Sequence, residues 1–345
     1  MRAFYHPDQA LHDPLQFMRA GRIAAPTDVP ARTERLLGAL SRLGVTPEQP
    51  SQQYDEARLA VHTPGFLGYL ETAWERWQQL PSRGPEVWPN TFPYWSGRPE
   101  DRARPDCPSG HIIAATGWYL GDLSVSLGPH SWVSIRESSN TAAAAADAVA
   151  GNSVVYALCR PSGHHARSDR ASGFCFLNNT AIAAERLCRR HGRVAILDVD
   201  AHHGDGTQQV FYARADVLTV SIHADPSQYY PFFTGYGHER GVGAGTGCNL
   251  NLPLPHGAHG EVVLAAVDRA IETIRRFEPA VLVVALGFDA HAQDPIGVLK
   301  LEAADFAAIA ARIRQLGAPT LVVQEGGYAM DVIGDCLYAF LGELA

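Results

Sequence analysis

Two stretches of this 345-residue chain gather side chains able to grip a metal ion and move protons. The apolar run Val194-Ala195-Ile196-Leu197 leads into Asp198-Val199-Asp200-Ala201-His202-His203-Gly204-Asp205. Side chains alternate along an extended chain, so Asp200 and His202, two positions apart, point the same way and can reach one cation. A second apolar run, Val281–Gly287, ends in Phe288-Asp289 and brings another carboxylate. Two carboxylates and one imidazole leave a position open for water and substrate, which is the arrangement of a catalytic site rather than a structural one. The bland alternative, a solvated acidic turn, is weak. Three acids and two histidines packed behind a buried strand would repel one another without a cation.

Two further strand ends add proton-handling groups. Val154–Leu158 runs into Arg160-Pro161-Ser162-Gly163-His164-His165, and the last apolar run, Leu321–Val323, into Gln324-Glu325-Gly326-Gly327-Tyr328. Amide hydrolysis needs an activated water, a proton shuttle to the leaving amine and a donor for the developing oxyanion. His165 would take the water proton and return it to the amine, with His164 assisting electrostatically. Paired imidazoles need carboxylate partners to fix their tautomers, and Asp198 and Asp205 flank the metal motif where they can serve. Tyr328 would polarise the carbonyl, beside glycines that let the backbone approach the metal closely.

These groups must be carried by elements that end together. Short runs rich in Val, Ile and Leu recur at Val154–Leu158, Val194–Val199, Val217–Ile222, Val281–Leu286 and Leu321–Val323. They alternate with helical periodicity at Asn178–His191, Glu261–Phe277 and Ala303–Leu316; further helices are expected at Ala31–Leu43, Phe66–Gln79, Thr141–Ala150 and from Asp331 onward. The pattern predicts an α/β fold, a single domain over 1–345 built on an open parallel sheet with helices on both faces. Ligands of such sheets bind beyond the carboxyl ends of the strands, where the polar residues above lie. A Pro- and Trp-rich stretch at about 81–108 reads as a long ordered insertion that lines a pocket or a subunit contact.

Composition narrows the partners. The net charge of −8 is spread along the chain, which argues against nucleic acid and against an anionic membrane surface. Cys107, Cys159, Cys175, Cys188, Cys248 and Cys336 are scattered with no Cys-x-x-Cys pair, as expected of reduced thiols in a cytoplasmic protein. The N-terminal residues lack the apolar core of a signal peptide, and Ala280–Phe288, the longest apolar run, is too short to span a bilayer.

In chain order, Arg-Pro-Ser-Gly-His-His-Ala from 160, Gly-Phe-Cys-Phe-Leu-Asn-Asn from 173, the Asp198–Thr207 motif, Leu-Gly-Phe-Asp from 286 and Glu-Gly-Gly-Tyr from 325 resemble the histone deacetylase superfamily of zinc amidohydrolases. Leu70–Trp77, Ser221–Pro226 and Phe233–Glu239 look most like its bacterial acetylpolyamine amidohydrolases. The resemblance implies the arginase/deacetylase fold and release of an acetyl or other short acyl group from small amines such as acetylpolyamines. It implies Asp200, His202 and Asp289 as ligands of one Zn²⁺, a set that equally suits Fe²⁺ or Co²⁺, and the His164–His165 dyad with Asp198, Asp205 and Tyr328. It places Phe174, with Gly173, His223, Gly326 and Gly327, along the substrate tunnel. It also places structural K⁺ near Asp198, Asp200, His202, Ser221 and Ile222, with a second near Phe211, and implies a homodimer through the insertion.

Two features depart from the family pattern. His291 follows the ligand Asp289 in a second Asp-Ala-His, and would touch metal or substrate only if its ring turned inward; it is kept out of the ligand set. Acids that read a polyamine's charge are sparse: Gly110–Ser124 offers only Asp122, with Glu239, Asp225, Glu86, Glu100, Asp101 and Asp106 as substitutes. The aromatic run Tyr229–Phe233 fits either core or tunnel rim. Alternatives to the small-amine hydrolase are a deacylase of acyl-lysine in proteins, a hydrolase of other small amides, and a module that binds acyl-lysine without cutting it. The last has no use for His165 and Tyr328 beside an intact ligand set.

Overall fold

The computed structural model describes residues 1–93, 104–151 and 153–345. Its strands, in chain order, are β1 (Arg2–Phe4), β2 (Phe17–Arg19), β3 (Arg22–Ala24), β4 (Val154–Ala157), β5 (Val194–Asp198), β6 (Val217–Ala224), β7 (Asn249–Leu254), β8 (Val281–Leu286) and β9 (Thr320–Gln324). Its helices are α1 (Ala31–Arg42), α2 (Asp55–Leu59), α3 (Pro64–Gln78), α4 (Ile112–Tyr119), α5 (Ser131–Asp147), α6 (Asn179–His191), α7 (Asp205–Phe211), α8 (Gly260–Phe277), α9 (Ala303–Arg314) and α10 (Ile333–Leu344). Seven strands form one parallel sheet in the order β1-β4-β9-β8-β5-β6-β7, and β2–β3 is a separate hairpin. The expected α/β architecture is present.

Alternation along each strand sorts side chains into two cores. Ala195 and Leu197 of β5, with Leu282, Val284 and Leu286 of β8, pack beneath α1, α8, α9 and α10 through Leu40, Val267, Phe306 and Phe340. Val194 and Ile196, with Val281 and Val283, face α3, α5 and α6 through Phe66, Ala145 and Ile182. Burial on both faces is why these strands read as unbroken apolar runs.

Strand order reverses beside β5. The chain passes from β5 to β6 and β7 on one side, then crosses to β8 and β9 on the other. A crevice therefore opens between the ends of β5 and β8, where the polypeptide diverges in two directions. Asp200 and His202 follow β5 and Asp289 follows β8, so the topology itself delivers the three candidate metal ligands to one place.

Several elements differ from expectation. Helix α5 begins at Ser131, well before Thr141. Its polar first half is poor in helix formers, but tertiary bonds hold it: Ser134 donates to Asp8 O, Ser138 to Pro161 O, and Asn140 Oδ1 accepts from Arg58 and from Tyr54 N. Strands β1 and β7 were not foreseen. The first is too short to carry a pattern, and the second alternates Asn with Leu because one side faces buried amides. Of the insertion at 81–108, the described flanks dock near the site: Val87 pairs with Leu127, and Trp88 Nε1 donates to Leu123 O. Glu100 and Asp101 lie outside the described residues.

Candidate active site

Asp200, His202 and Asp289 meet at the crevice, each with a ligand atom within 4.8 Å of the others, and all three are buried. Backbone amides fix the carboxylates: Gly326 N donates to Asp200 Oδ2 at 2.8 Å and Ala201 N to Asp289 Oδ1 at 2.8 Å. His202 Nδ1 stands 2.8 Å from Asp289 Oδ2 and 3.2 Å from Asp200 Oδ1. Burial, and then the charge of Asp200, push the Asp289 carboxyl up to about 7. Against the cost of its own burial, Asp289 and Asp200 draw the His202 ring up to about 9. Two buried carboxylates that repel each other and hold a proton on the intervening imidazole form a donor set that a divalent cation satisfies by displacing that proton. The hard oxygens with one imidazole nitrogen suit Zn²⁺, Fe²⁺ or Co²⁺ alike.

Close approach is enforced by missing side chains. A Cβ on Gly287 would lie 2.0 Å from Asp200 Oδ2, and one on Gly326 would lie 2.5 Å from Asp289 Oδ2. Gly287 and Gly326 therefore back the two carboxylates and Gly327 packs on Phe288; neither Gly326 nor Gly327 lines the cavity, contrary to their expected place along the tunnel.

His164 and His165 lie with ring centroids 4.1 Å apart, each held by its own carboxylate: His164 Nδ1 is 2.9 Å from Asp198 Oδ2, and His165 Nδ1 is 2.9 Å from Asp205 Oδ1. The two environments diverge. Burial opposes charge on His164, yet Asp198 and then Asp200 hold its proton affinity well above the usual imidazole value. His165 is lowered to about 4, by burial and then by the neighbouring His164, which outweigh Asp205. Arg167 explains part of that weakness, since its Nε donates to Asp205 Oδ2 at 3.2 Å and shares the carboxylate. One ring is thus kept charged and its neighbour neutral, a division that assigns unlike tasks to like groups.

A cavity of about 330 Å³ opens onto these rings, walled by Gly173, Phe174, Tyr229, Tyr230 and Tyr328. Phe174 has φ +64 and Gly173 φ +55, a left-handed turn that thrusts the Phe174 ring inward, 5.7 Å edge-on to Tyr328. Tyr229 stacks on His202 with centroids 4.5 Å apart and donates to Ile296 O. The aromatic run therefore belongs mostly to the channel, with Phe233 exposed beyond it. Burial raises the Tyr328 phenol well above its ordinary range, so it stays a proton donor.

Other expected residues fall elsewhere. His223 is fully buried behind the wall, bonded to Ser221 Oγ and Gly235 O, and does not face the channel. His291 turns to Glu302 and to the amide of Gln293, away from the metal ligands. Glu239 is buried, accepting from Gln208, Gly235 N and Asn251, and Glu86 is buried against Leu15 N and Ser126; neither meets a substrate. Asp106 is exposed near Tyr119 and Asp225 caps Ser227 N. Asp122 braces the channel wall from behind, its Oδ2 accepting from Tyr230 Oη at 2.7 Å and from Gly173 N at 3.1 Å, and it borders an adjoining cavity. Asp198 and Ser221 meet at a cavity of about 10 Å³, room for one ion or one water. Of the other residues expected near K⁺, Asp200, His202 and Ile222 lie within two positions of Asp198, Ser221 or each other, and Phe211 packs in the core beneath α6.

Sequence reasoning missed the support beneath Tyr328. Arg32, buried, donates from Nε to Gly327 O and from Nη2 to Glu325 O, both at 2.7 Å, and its guanidinium lies 4.8 Å from the Tyr328 ring. Asp28 neutralises it, and also accepts from Arg160 Nε at 3.0 Å. Asp294 Oδ2 accepts from Tyr328 N at 2.7 Å. Only Asp28 and Arg32 are local to each other, four residues apart; no spacing links either of them, or Asp294, to Tyr328.

A model of the histone deacetylase domain matches residues 26–344. The chain belongs to the histone deacetylase family. It is 42% identical over 344 residues to an acetylpolyamine amidohydrolase of Burkholderia pseudomallei, covering 99% of this chain and 98% of that one. It is 39% identical to acetylpolyamine amidohydrolase 1 of Pseudomonas aeruginosa, over 97% and 96% of the two chains. The crystal structure of acetylpolyamine aminohydrolase from Burkholderia pseudomallei superposes with a TM-score of 0.93 at 41% identity, covering 100% of this chain and 98% of that one. Over nearly its whole length, then, the chain is similar to family members named for acetylpolyamines.

Proposed function

We propose that this protein hydrolyses the amide of small acetylated amines of the acetylpolyamine class, using one divalent metal ion, with Zn²⁺ the family's usual choice. The observation that carries the reading is the convergence of the Asp200–His202–Asp289 set, an unlike histidine pair and a protonated Tyr328 around one aromatic-walled cavity. The full-length likeness to acetylpolyamine amidohydrolases supports the substrate class.

Asp200, His202 and Asp289 would hold the cation, which would supply Lewis acidity for activating a water and polarising a carbonyl. His165 is neutral at working pH and keeps Nδ1–H on Asp205, which leaves Nε2 to accept the water proton and then deliver it to the departing amine. His164, charged through Asp198, adds positive potential beside the site of attack. The Tyr328 hydroxyl donates to the carbonyl oxygen as negative charge grows there. Phe174 and Tyr230 flank the acyl chain and exclude water, while Asp122, behind Tyr230 and bordering the adjoining cavity, offers negative charge to an amine that reaches that cavity. K⁺ near Asp198, Asp200, His202, Ser221 and Ile222, a second near Phe211, and a homodimer formed through the insertion complete the proposal.

Turnover of metal-loaded protein on N-acetylputrescine, N-acetylcadaverine, N-acetylspermidine and an acetyl-lysine peptide, at matched concentrations, tests it. Preference for the small amines is expected. Preference for the peptide would move the function to protein deacylation, and turnover of none of them would overturn the acetylated-amine reading.

A further inference from the structure

The reactive histidines and the reactive tyrosine stand on different segments: His164 and His165 follow β4, and Tyr328 follows β9. The strands are parallel neighbours, but the ladder stops at Ala157 and Val323, before either reactive segment begins. Beyond that point Arg160, Asp28 and Arg32 link the two loops in a relay, and the direct tie to the histidine segment is a side chain that no catalytic step uses. Glu325, fully buried, places Oε2 2.7 Å from Gly163 N and 3.1 Å from His164 N, accepting from both, while its Oε1 accepts from Thr180 Oγ1 at 2.7 Å. The same residue is bound through its own backbone, with Glu325 N donating to Leu286 O and its carbonyl taking Arg32 Nη2.

We infer that Glu325 is a positioning residue: its carboxylate clamps the Gly163–His164 amides to the strand end that carries Tyr328, and so sets the distance between proton shuttle and oxyanion donor. The inference rests on the hydrolase reading above. His164, Cys175 and Glu325 also lie within 4.8 Å of one another, yet this is no second metal site. Both Glu325 oxygens are already engaged, and burial keeps the Cys175 thiol protonated by raising it well above its ordinary range. The clamp acts through geometry. A hydrolytic site that loses about 1 Å of alignment loses on the order of 10²-fold in rate, so the length of this side chain matters more than its charge.

Two substitutions separate length from charge. Glu325→Asp keeps the carboxylate but withdraws it by one methylene; Glu325→Gln keeps the reach and an acceptor oxygen but removes the charge. In Glu325→Asp, kcat is expected to fall by about 10- to 100-fold with KM and bound metal unchanged, and the Gly163 and His164 amides to exchange with solvent faster. Glu325→Gln should restore both turnover and amide protection toward the parent. The reverse order, wild-type behaviour of both, or equal failure of both overturns the inference, as does loss of metal from Glu325→Asp. Amide exchange is read without substrate, so the clamp can stand or fall even if the parent protein cleaves none of the acetylated amines, the outcome that would sink the hydrolase reading instead.

Discussion

Tyr328 is held from three sides: Phe174 meets its edge, Arg32 lies across its ring, and Asp294 grips its amide. Such support costs the fold something only if the hydroxyl must be in one place. Tyr328→Phe should therefore keep its metal and its stability while kcat drops by about 10²-fold or more, the loss typical of an oxyanion donor; turnover equal to the parent would remove the phenol from the reaction. Asp289→Ala is expected to release the ion, because one carboxylate and one imidazole remain. Native metal content in the purified variant would show the ligand set to be misassigned. The convergence of Asp200, His202, Asp289, His164, His165 and Tyr328 was legible because each stands directly after an apolar run, and strand ends meet in a parallel sheet. The supporting residues were not: Arg32, Asp294 and Glu325 act on backbone groups far away in sequence, a relation that leaves no spacing to read, and Asp28 serves the side chains of Arg32 and Arg160. His223 misled for a related reason, since a histidine at a strand end can as well satisfy a neighbouring loop's carbonyl, here Gly235 O.

At the scale of elements, the site depends on how closely strand ends approach. Gly326 follows β9 with its Cα against both ligand carboxylates, where an added Cβ would meet Asp289 Oδ2 at 2.5 Å and Asp200 Oδ2 at 2.6 Å. Gly326→Ala removes no ligand, yet it should weaken metal affinity by at least about tenfold, by analogy with loss of a supporting contact to a ligand; competition with a chelator measures it, and parental affinity would show that the ends can spread. Strands buried on both faces were readable as runs of Val, Ile and Leu, and the helices between them by period. Helix α5 and strand β7 were harder because buried polar side chains interrupt the apolar pattern while bonding one another, as Asn249 and Asn251 do with Gln208. Tertiary satisfaction, not local preference, makes those segments regular.

Across the whole molecule, acid should be damaging through buried histidines that must stay neutral. His62 donates Nδ1–H to Arg167 O and accepts Asn178 N at Nε2, so it must be neutral, and burial lowers it from 6.5 to about 4. His12, buried and then repelled by Arg160, falls to about 3. Because the folded values lie below the unfolded one, the unfolded chain takes up protons first as pH drops. Stability is whole above pH 6.5 and is lost on descending toward 4, by roughly 3 kcal/mol for His62 alone. Urea unfolding at pH 7 and 4.5 should show this fall, with a shallower one in His62→Gln; parallel slopes would exonerate the ring. The described residues include no helix long and apolar enough to cross a membrane.

The crowding of Asp200 against Asp289 has one more consequence, in mass action. Any ion that relieves their repulsion binds the folded chain and not the unfolded one, so free metal acts as a stabilising ligand whose effect grows with the logarithm of its concentration. A thousandfold excess over Kd adds about 4 kcal/mol. The melting temperature of this protein is then a function of the metal activity around it, and a cell that withdraws the ion lowers the protein's abundance as well as its activity.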